Sequence, residues 1–224
     1  MTTRLLVVDD QPLVRAGLRM LFTPQPDVEV VGEAANGREA VQLAERHQPD
    51  VVLMDLRMPI LDGIGATREI LARRPSTRVI VLTTFDDDEH LYPALSAGAC
   101  GFFAKDAVPE ELLAAVSQAA RGRLPFGQGA LDRLVRQAVD SRASSARHPQ
   151  PADNLTPRER QVLALLADGL SNAEIALRLH LGVTTVKTHI AGLMTKTGCA
   201  NRVQLAVLAV HLGLAAGGEN PEHH

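Results

Sequence analysis

The sequence predicts an α/β fold, a parallel sheet covered by helices on both faces, followed by a second, smaller all-α domain. Three observations predict it. Five short apolar runs, Leu5–Val8, Val28–Val31, Val51–Met54, Val79–Leu82 and Gly101–Phe103, alternate with five stretches of helical periodicity; near-continuous apolar strands of this kind belong to sheets buried on both faces. A Ser-, Ala- and Pro-rich segment, Ser141 to Asn154, then breaks the pattern and has no apolar face to bury, as expected of a linker. Beyond it, Thr156-Pro157-Arg158-Glu159 and Ser171-Asn172-Ala173-Glu174 are capping boxes, the first with Pro at the opening helical position.

Taken in order, the helical stretches of the front half are Leu13–Phe22, Arg38–His47, Ile64–Arg73, Glu89–Ala97 and Glu110–Arg121. Five strand-then-helix units make residues 1–121 one domain. Within the fourth helix, Pro93 lacks an amide donor and its ring crowds the preceding turn, which predicts a late start or a distortion. The acidic run Asp86-Asp87-Asp88-Glu89 would then occupy the preceding loop or first turn, as a solvated surface. Residues 122–154 read as linker: Gly122, Pro125, Gly127 and Gly129 precede a short amphipathic helix from Ala130 to Val139. The small domain spans 155–217. Its second helix carries Ile175, Leu177 and Leu179 and breaks near His180 to Gly182; a third runs from Val183 to about Thr197 and a fourth from Arg202 to Leu212. Residues 218–224 are a tail ending in His223 and His224, which read as tag residue.

Composition narrows the function class. The chain has 224 residues, 46% of them apolar, and a net charge of −3, ordinary for a globular protein of one large or two modest domains. No apolar run approaches a membrane span and the amino terminus leads straight into a strand, so the expected location is cytoplasmic, with no membrane partner. Cys100 and Cys199 are too few and too isolated for a disulfide framework or a metal site. Residues 1–121 hold 12 Lys and Arg against 18 Asp and Glu. By contrast, the stretch from Ile175 to Gly218 contains Arg178, Lys187, Lys196 and Arg202 and no acid, a modest electrostatic footprint for nucleic acid.

The acids carry the chemistry. The first apolar run ends in Asp9 and Asp10 and the third in Asp55, so parallel strands deliver three carboxylates to one carboxyl edge, where open α/β sheets place ligands. Such a cluster repels itself unless a hard cation joins it or pKa values rise. Mg2+ and phosphate are the expected ligands.

In the small domain, a short turn between two helices, the second opening with Thr and Lys, is a helix-turn-helix pattern. Helical spacing points Lys187, Thr188 and Ala191 outward toward base edges of double-stranded DNA, with Val186, Ile190 and Leu193 inward. Asn172, Thr185 and Lys196 are candidate phosphate contacts. His189 reads as structural or backbone-binding rather than a switch, and Gly182 as a weaker cap than Ser or Thr. So few cations call for two copies on two half-sites, a homodimer.

Asp9-Asp10, Asp55 followed by Met58-Pro59 and Asp62-Gly63, Thr83, the run GFFAKD from Gly101 to Asp106, and then LTPRERQVLALLADGLSNAEIA and TVKTHI together resemble the NarL/FixJ family of two-component response regulators. That family joins a receiver domain to a LuxR-type DNA-binding domain. The resemblance implies a flavodoxin-like (βα)5 receiver in which Asp55 accepts a phosphoryl group from a cognate sensor histidine kinase. It implies Mg2+ bound by Asp10, Asp55 and the backbone carbonyl of Arg57, with Asp9 acting through water. Lys105 and Thr83 would contact the phosphoryl group, and Thr83 with Phe102 would form the switch. Phe102 lacks the hydroxyl of relatives with Tyr there. The last helix would dimerise through apolar residues among Val203, Leu205, Ala206, Val207 and Val210, on activation or on DNA, with RNA polymerase as a further partner. The alternative is a regulator of the same build controlled by a ligand or partner without phosphorylation. A phosphatase is disfavoured because Arg57 stands two positions after Asp55, where a second carboxylate would act as general acid.

Overall fold

The computed structural model describes residues 2–83, 88–125, 155–199 and 201–214. The expected helix at Ala130–Val139, the linker segment 126–154 and the tail lie outside them. The chain divides into two compact units, Met1–Ala130 and Leu131–His224.

In the first unit, β1 (Thr3–Val8), α1 (Pro12–Phe22), β2 (Val28–Ala34), α2 (Gly37–His47), β3 (Val51–Asp55), α3 (Gly63–Arg73), β4 (Arg78–Thr83), α4 (Asp88–Ser96), β5 (Gly101–Ala104) and α5 (Pro109–Ala120) follow in strict alternation. The sheet order is β2-β1-β3-β4-β5, and every pair is parallel. This is the flavodoxin-like order, whose direction of winding reverses between β1 and β3. Central strands β1, β3 and β4 are buried almost throughout, while the edge strand β2 is mostly half-buried. That explains one boundary difference. The apolar run stops at Val31, yet the strand continues to Ala34, because a register shift pairs Leu5 with Val30 but Leu6 with Gly32, and an edge strand needs no apolar residue at every position.

Local chemistry sets the helix starts. Asn36 caps α2 by accepting from the Glu39 amide, and Asp62 caps α3 by accepting from the Gly65 amide. α4 begins at Asp88, one residue before the expected start, and continues through Pro93. The late start predicted from Pro93 is therefore corrected: an exposed proline removes one hydrogen bond but keeps its ring away from the core, and the buried Leu91, Ala94 and Leu95 hold the helix on the sheet. The unit also extends past the expected end at Arg121. Leu124 is buried, and Pro125 lies so close to β5 that a Cβ on Gly101 would collide with its carbonyl.

The second unit contains α6 (Pro157–Ala167), α7 (Asn172–Leu179), α8 (Val183–Thr197) and α9 (Arg202–His211). Both capping boxes form, at Thr156 with Glu159 and at Ser171 with Glu174. The core joins Val162, Leu163, Leu166, Ile175, Val186, Ile190, Leu193, Leu205 and Ala209. The inward residues expected on α8 are thus the ones buried.

Candidate functional site

Register brings the acids together. Val8 of β1 pairs with Met54 of β3, so Asp9 and Asp55, each one residue further on, emerge at the same height on either side of the winding reversal. Asp9 is fully buried and Asp55 is 3% exposed. Asp10 sits closer to solvent, and an oxygen from each of the three lies within 4.8 Å of the others. Lys105 follows the β5 residue Ala104, which pairs with Thr83, and its amide donates to the Thr83 carbonyl at 2.7 Å. The Lys105 side chain reaches over the edge, with Nζ 2.7 Å from Asp9 Oδ2 and 2.8 Å from Asp55 Oδ2.

The charges are not at rest. Burial raises the Asp55 carboxyl above its ordinary range, Lys105 opposes this through its hydrogen bond and charge, and Asp9 adds to the rise. Burial alone would lower Lys105, but Asp55 and Asp9 outweigh it and hold the ammonium above its ordinary value. The crevice thus contains one firmly charged cation and a carboxylate that needs more positive charge than it has.

Backbone packing aims Asp55. A Cβ on Gly63 would collide with the Asp55 carbonyl, so glycine there lets the start of α3 press against the end of β3. The Gly63 amide donates to Leu56 O at 2.9 Å, and buried Thr67 donates its hydroxyl to Gly63 O at 2.7 Å. Asp9 is held from both sides: its Oδ1 accepts from the Gln11 amide at 2.8 Å, and its carbonyl accepts from Arg15 at 2.6 Å. Sequence reasoning missed Arg15, since an arginine on an amphipathic helix reads as solvated. Between Asp55 and Gly63, Ile60 adopts φ 73 and is 81% exposed. Positive φ in a β-branched residue is strained.

The other expected residues of this unit are placed as follows. Thr83 is buried at the end of β4 and Phe102 is 1% exposed in β5. The Arg57 amide is 3.4 Å from Asp55 Oδ1.

On the second unit, Thr185, Lys187, Thr188 and Ala191 are exposed along α8, as expected. Two expected phosphate contacts already have protein partners. Lys196 Nζ lies 2.9 Å from Glu159 Oε2, and that hydrogen bond, with the Thr156 amide, holds the Glu159 carboxyl below its usual range. Asn172 Oδ1 accepts from Arg202 at 3.3 Å, and the same guanidinium donates to Leu170 O at 2.6 Å. Arg202 ties α9 to the start of α7, a structural role that helical periodicity does not signal. On α9, Leu205 belongs to the core. Val203, Ala206 and Val207 are also at most 5% exposed, while Val210 is half-buried. The expected dimer contact uses apolar residues among these five, and of them Val210 is the most accessible.

Comparison with known proteins agrees with this architecture. Residues 5–117 match the response regulator receiver domain, and residues 153–209 match the bacterial regulatory proteins of the luxR family. The nitrate/nitrite response regulator protein NarL of Escherichia coli is 38% identical over 203 residues, covering 91% of this chain and 93% of its own. The transcriptional regulatory protein LiaR of Bacillus subtilis is 40% identical over 207 residues, covering 92% and 96%. Among solved structures, the response regulator ChrA of a heme-sensing two-component system is 34% identical with a TM-score of 0.52, covering 95% of this chain and 98% of its own. Fold and site thus define a receiver domain joined to a LuxR-type helix-turn-helix domain. The chain belongs to the NarL/FixJ family of response regulators, DNA-binding regulators of transcription.

Proposed function

We propose that Asp55 accepts a phosphoryl group from a cognate sensor histidine kinase and that this modification controls DNA binding and dimerisation by the second unit. The observation that carries the reading is the crevice in which Lys105 bridges Asp9 and Asp55 at 2.7 and 2.8 Å. A carboxylate nucleophile gives an acyl phosphate, and the group needs positive charge around the transferred oxygens. Lys105 supplies one such charge, and Thr83, next to it across β4 and β5, donates a hydroxyl to the phosphoryl group. Phe102, buried in β5, would be the second part of the switch.

The donor set fits Mg2+, since three carboxylates offer oxygen within 4.8 Å and hard cations take oxygen ligands. Asp10, Asp55 and the Arg57 carbonyl would hold the ion directly and Asp9 through water. Bound there, it supplies Lewis-acid neutralisation of the phosphoryl oxygens. Arg15 and Gln11 keep Asp9 in place, while Gly63 keeps Asp55 pointed at the edge.

On DNA, Lys187, Thr188 and Ala191 face the major groove, with Thr185 toward the backbone. The solved relative described as two RcsB dimers bound to two parallel DNAs is 26% identical, with a TM-score of 0.56, and covers 96% of this chain. It supports a homodimer on DNA, with the contact made through α9, where Val210 is the most accessible of the apolar residues expected to form it. RNA polymerase would be the partner of the DNA-bound dimer. With no helix among the described residues long and apolar enough to cross a membrane, a cytoplasmic location is the reading that suits a DNA-binding regulator.

The test is intact mass and oligomeric state after treatment with a small phosphoryl donor and Mg2+. The expected result is one added phosphoryl group and a dimer, both lost in Asp55→Asn. Phosphorylation retained in Asp55→Asn would overturn the assignment, and regulated DNA binding retained there would favour control by a ligand or partner.

A further inference from the structure

Four positions on the outward face of α8, Thr188, Ala191, Gly192 and Thr195, are exposed, and none carries a long side chain. Helical spacing puts Thr188 with Ala191 and Gly192, and Ala191 and Gly192 with Thr195, on one continuous strip. Two further features of this strip are informative. Thr188 donates its hydroxyl to Thr184 O at 3.1 Å, and Thr195 donates its own to Ala191 O at 3.2 Å. While those bonds hold, the hydroxyl protons face the helix backbone rather than guanine N7 or O6, and each side chain still carries a methyl at this exposed face. Gly192 is the second feature. A Cβ there would meet nothing within 4 Å, so the folded chain gives no packing reason for a poor helix former in mid-helix. The strip is low and methyl-covered, with Lys187 beside its amino-terminal end as the one long cationic reader.

Apolar groups in the major groove recognise the C5-methyl of thymine. We infer that the DNA half-site is read chiefly through thymine methyls packed on the strip Thr188–Ala191–Gly192–Thr195, with Lys187 reading one guanine at its edge. This rests on the DNA-binding function proposed above and adds the chemistry of the site: consecutive A·T pairs presenting methyls, beside a G·C pair. Gly192 lets the helix sit deep enough for those methyls to touch it.

The experiment has two stages. The phosphorylated full chain is first used to select sites from random duplex DNA. Selected sites are then resynthesised with deoxyuridine replacing thymidine at one position at a time, which removes a methyl and leaves every hydrogen-bonding group unchanged. The expected result is T-rich half-sites in which two or more substitutions each weaken binding about fourfold, the worth of one buried methyl. Thr188→Ser, which keeps the hydroxyl and loses the methyl, should cause a similar loss on thymine DNA and a much smaller one on the deoxyuridine site it contacts. Gly192→Ala should fold at least as stably and bind the selected site more weakly. If selected sites lack thymine at the core, or bind equally well with uracil at every position, the inference is overturned while DNA binding stands. If no sequence is selected at all, the DNA-binding reading itself falls, and this inference with it.

Discussion

The two functional regions use opposite means. The receiver's crevice buries two carboxylates, each within 2.8 Å of the Lys105 ammonium, so it holds desolvated negative charge that a further cation would relieve. The outward face of α8 is exposed, low and uncharged along most of its length, and its framework is held from behind by the Lys196–Glu159 and Arg202–Asn172 contacts. A phosphate switch needs charge held ready at one point. A reader of base edges needs shape along a surface, and there one cation of the helix, Lys196, is paired with Glu159 while Lys187 stays exposed.

The largest expected effect tests the first half of this contrast. Asp55→Asn should lower phosphoryl incorporation by at least about 100-fold, measured by intact mass. Because burial raises the folded pKa of Asp55, its contribution to stability is present below the unfolded value and is lost as pH rises through the folded one. Metal-free Asp55→Asn should therefore melt higher than the parent chain near neutral pH and lose part of the parent's decline above the carboxylate range. A lower melting temperature would show that the crevice is not held against desolvation. Lys105→Met comes next. Removing the cation between two buried acids should destabilise the first unit by about 2–3 kcal/mol, and Mg2+ should restore much of that loss. Urea unfolding with and without Mg2+ distinguishes this from a simple packing defect, which the ion would not repair.

Two smaller effects sharpen the other side. Glu159→Gln removes an ion pair while keeping an amide that can still serve the capping box, and should cost the second unit about 1 kcal/mol or less. Since the folded pKa of Glu159 lies below its usual range, that stability is present above the unfolded value and lost as pH falls through the folded one. The parent and the variant should thus converge in acid, as followed by circular dichroism. Ile60→Gly should relieve a strained φ of 73 at an exposed position for a net gain of about 1 kcal/mol or less, since glycine also loosens the unfolded chain. A loss of stability there would show that the turn depends on the isoleucine side chain.

The acid site was legible because its spacing is set by strand ends: apolar runs that stop at Asp9, Asp10, Asp55 and Thr83 place those residues at one edge of any parallel sheet. The outward positions Lys187, Thr188 and Ala191 were legible for a similar reason, helical period from a clear capping signal. Arg15 was not, because only the packing of α1 against β1 shows that its guanidinium reaches the Asp9 carbonyl. Lys196 and Asn172 read as phosphate contacts from residue type and position near a helix-turn-helix, and what was not legible is that each is also paired with a residue at least 30 positions away.

By itself, the sequence determined the order of elements, the two capping boxes, the identity of the acids and the inward face of α8. These follow from local periodicity, hydrogen bonding within four residues and the alternation of a buried sheet. Tertiary structure decided the rest. It chose the strand order that puts Asp9 beside Asp55, the glycine contact that aims Asp55, the bridging reach of Lys105, the covering of Val203, Ala206 and Val207, and the partners of Lys196 and Asn172. The physical reason is range: burial, desolvation and ion pairing depend on which distant segments meet, and no pattern within a few residues records that meeting.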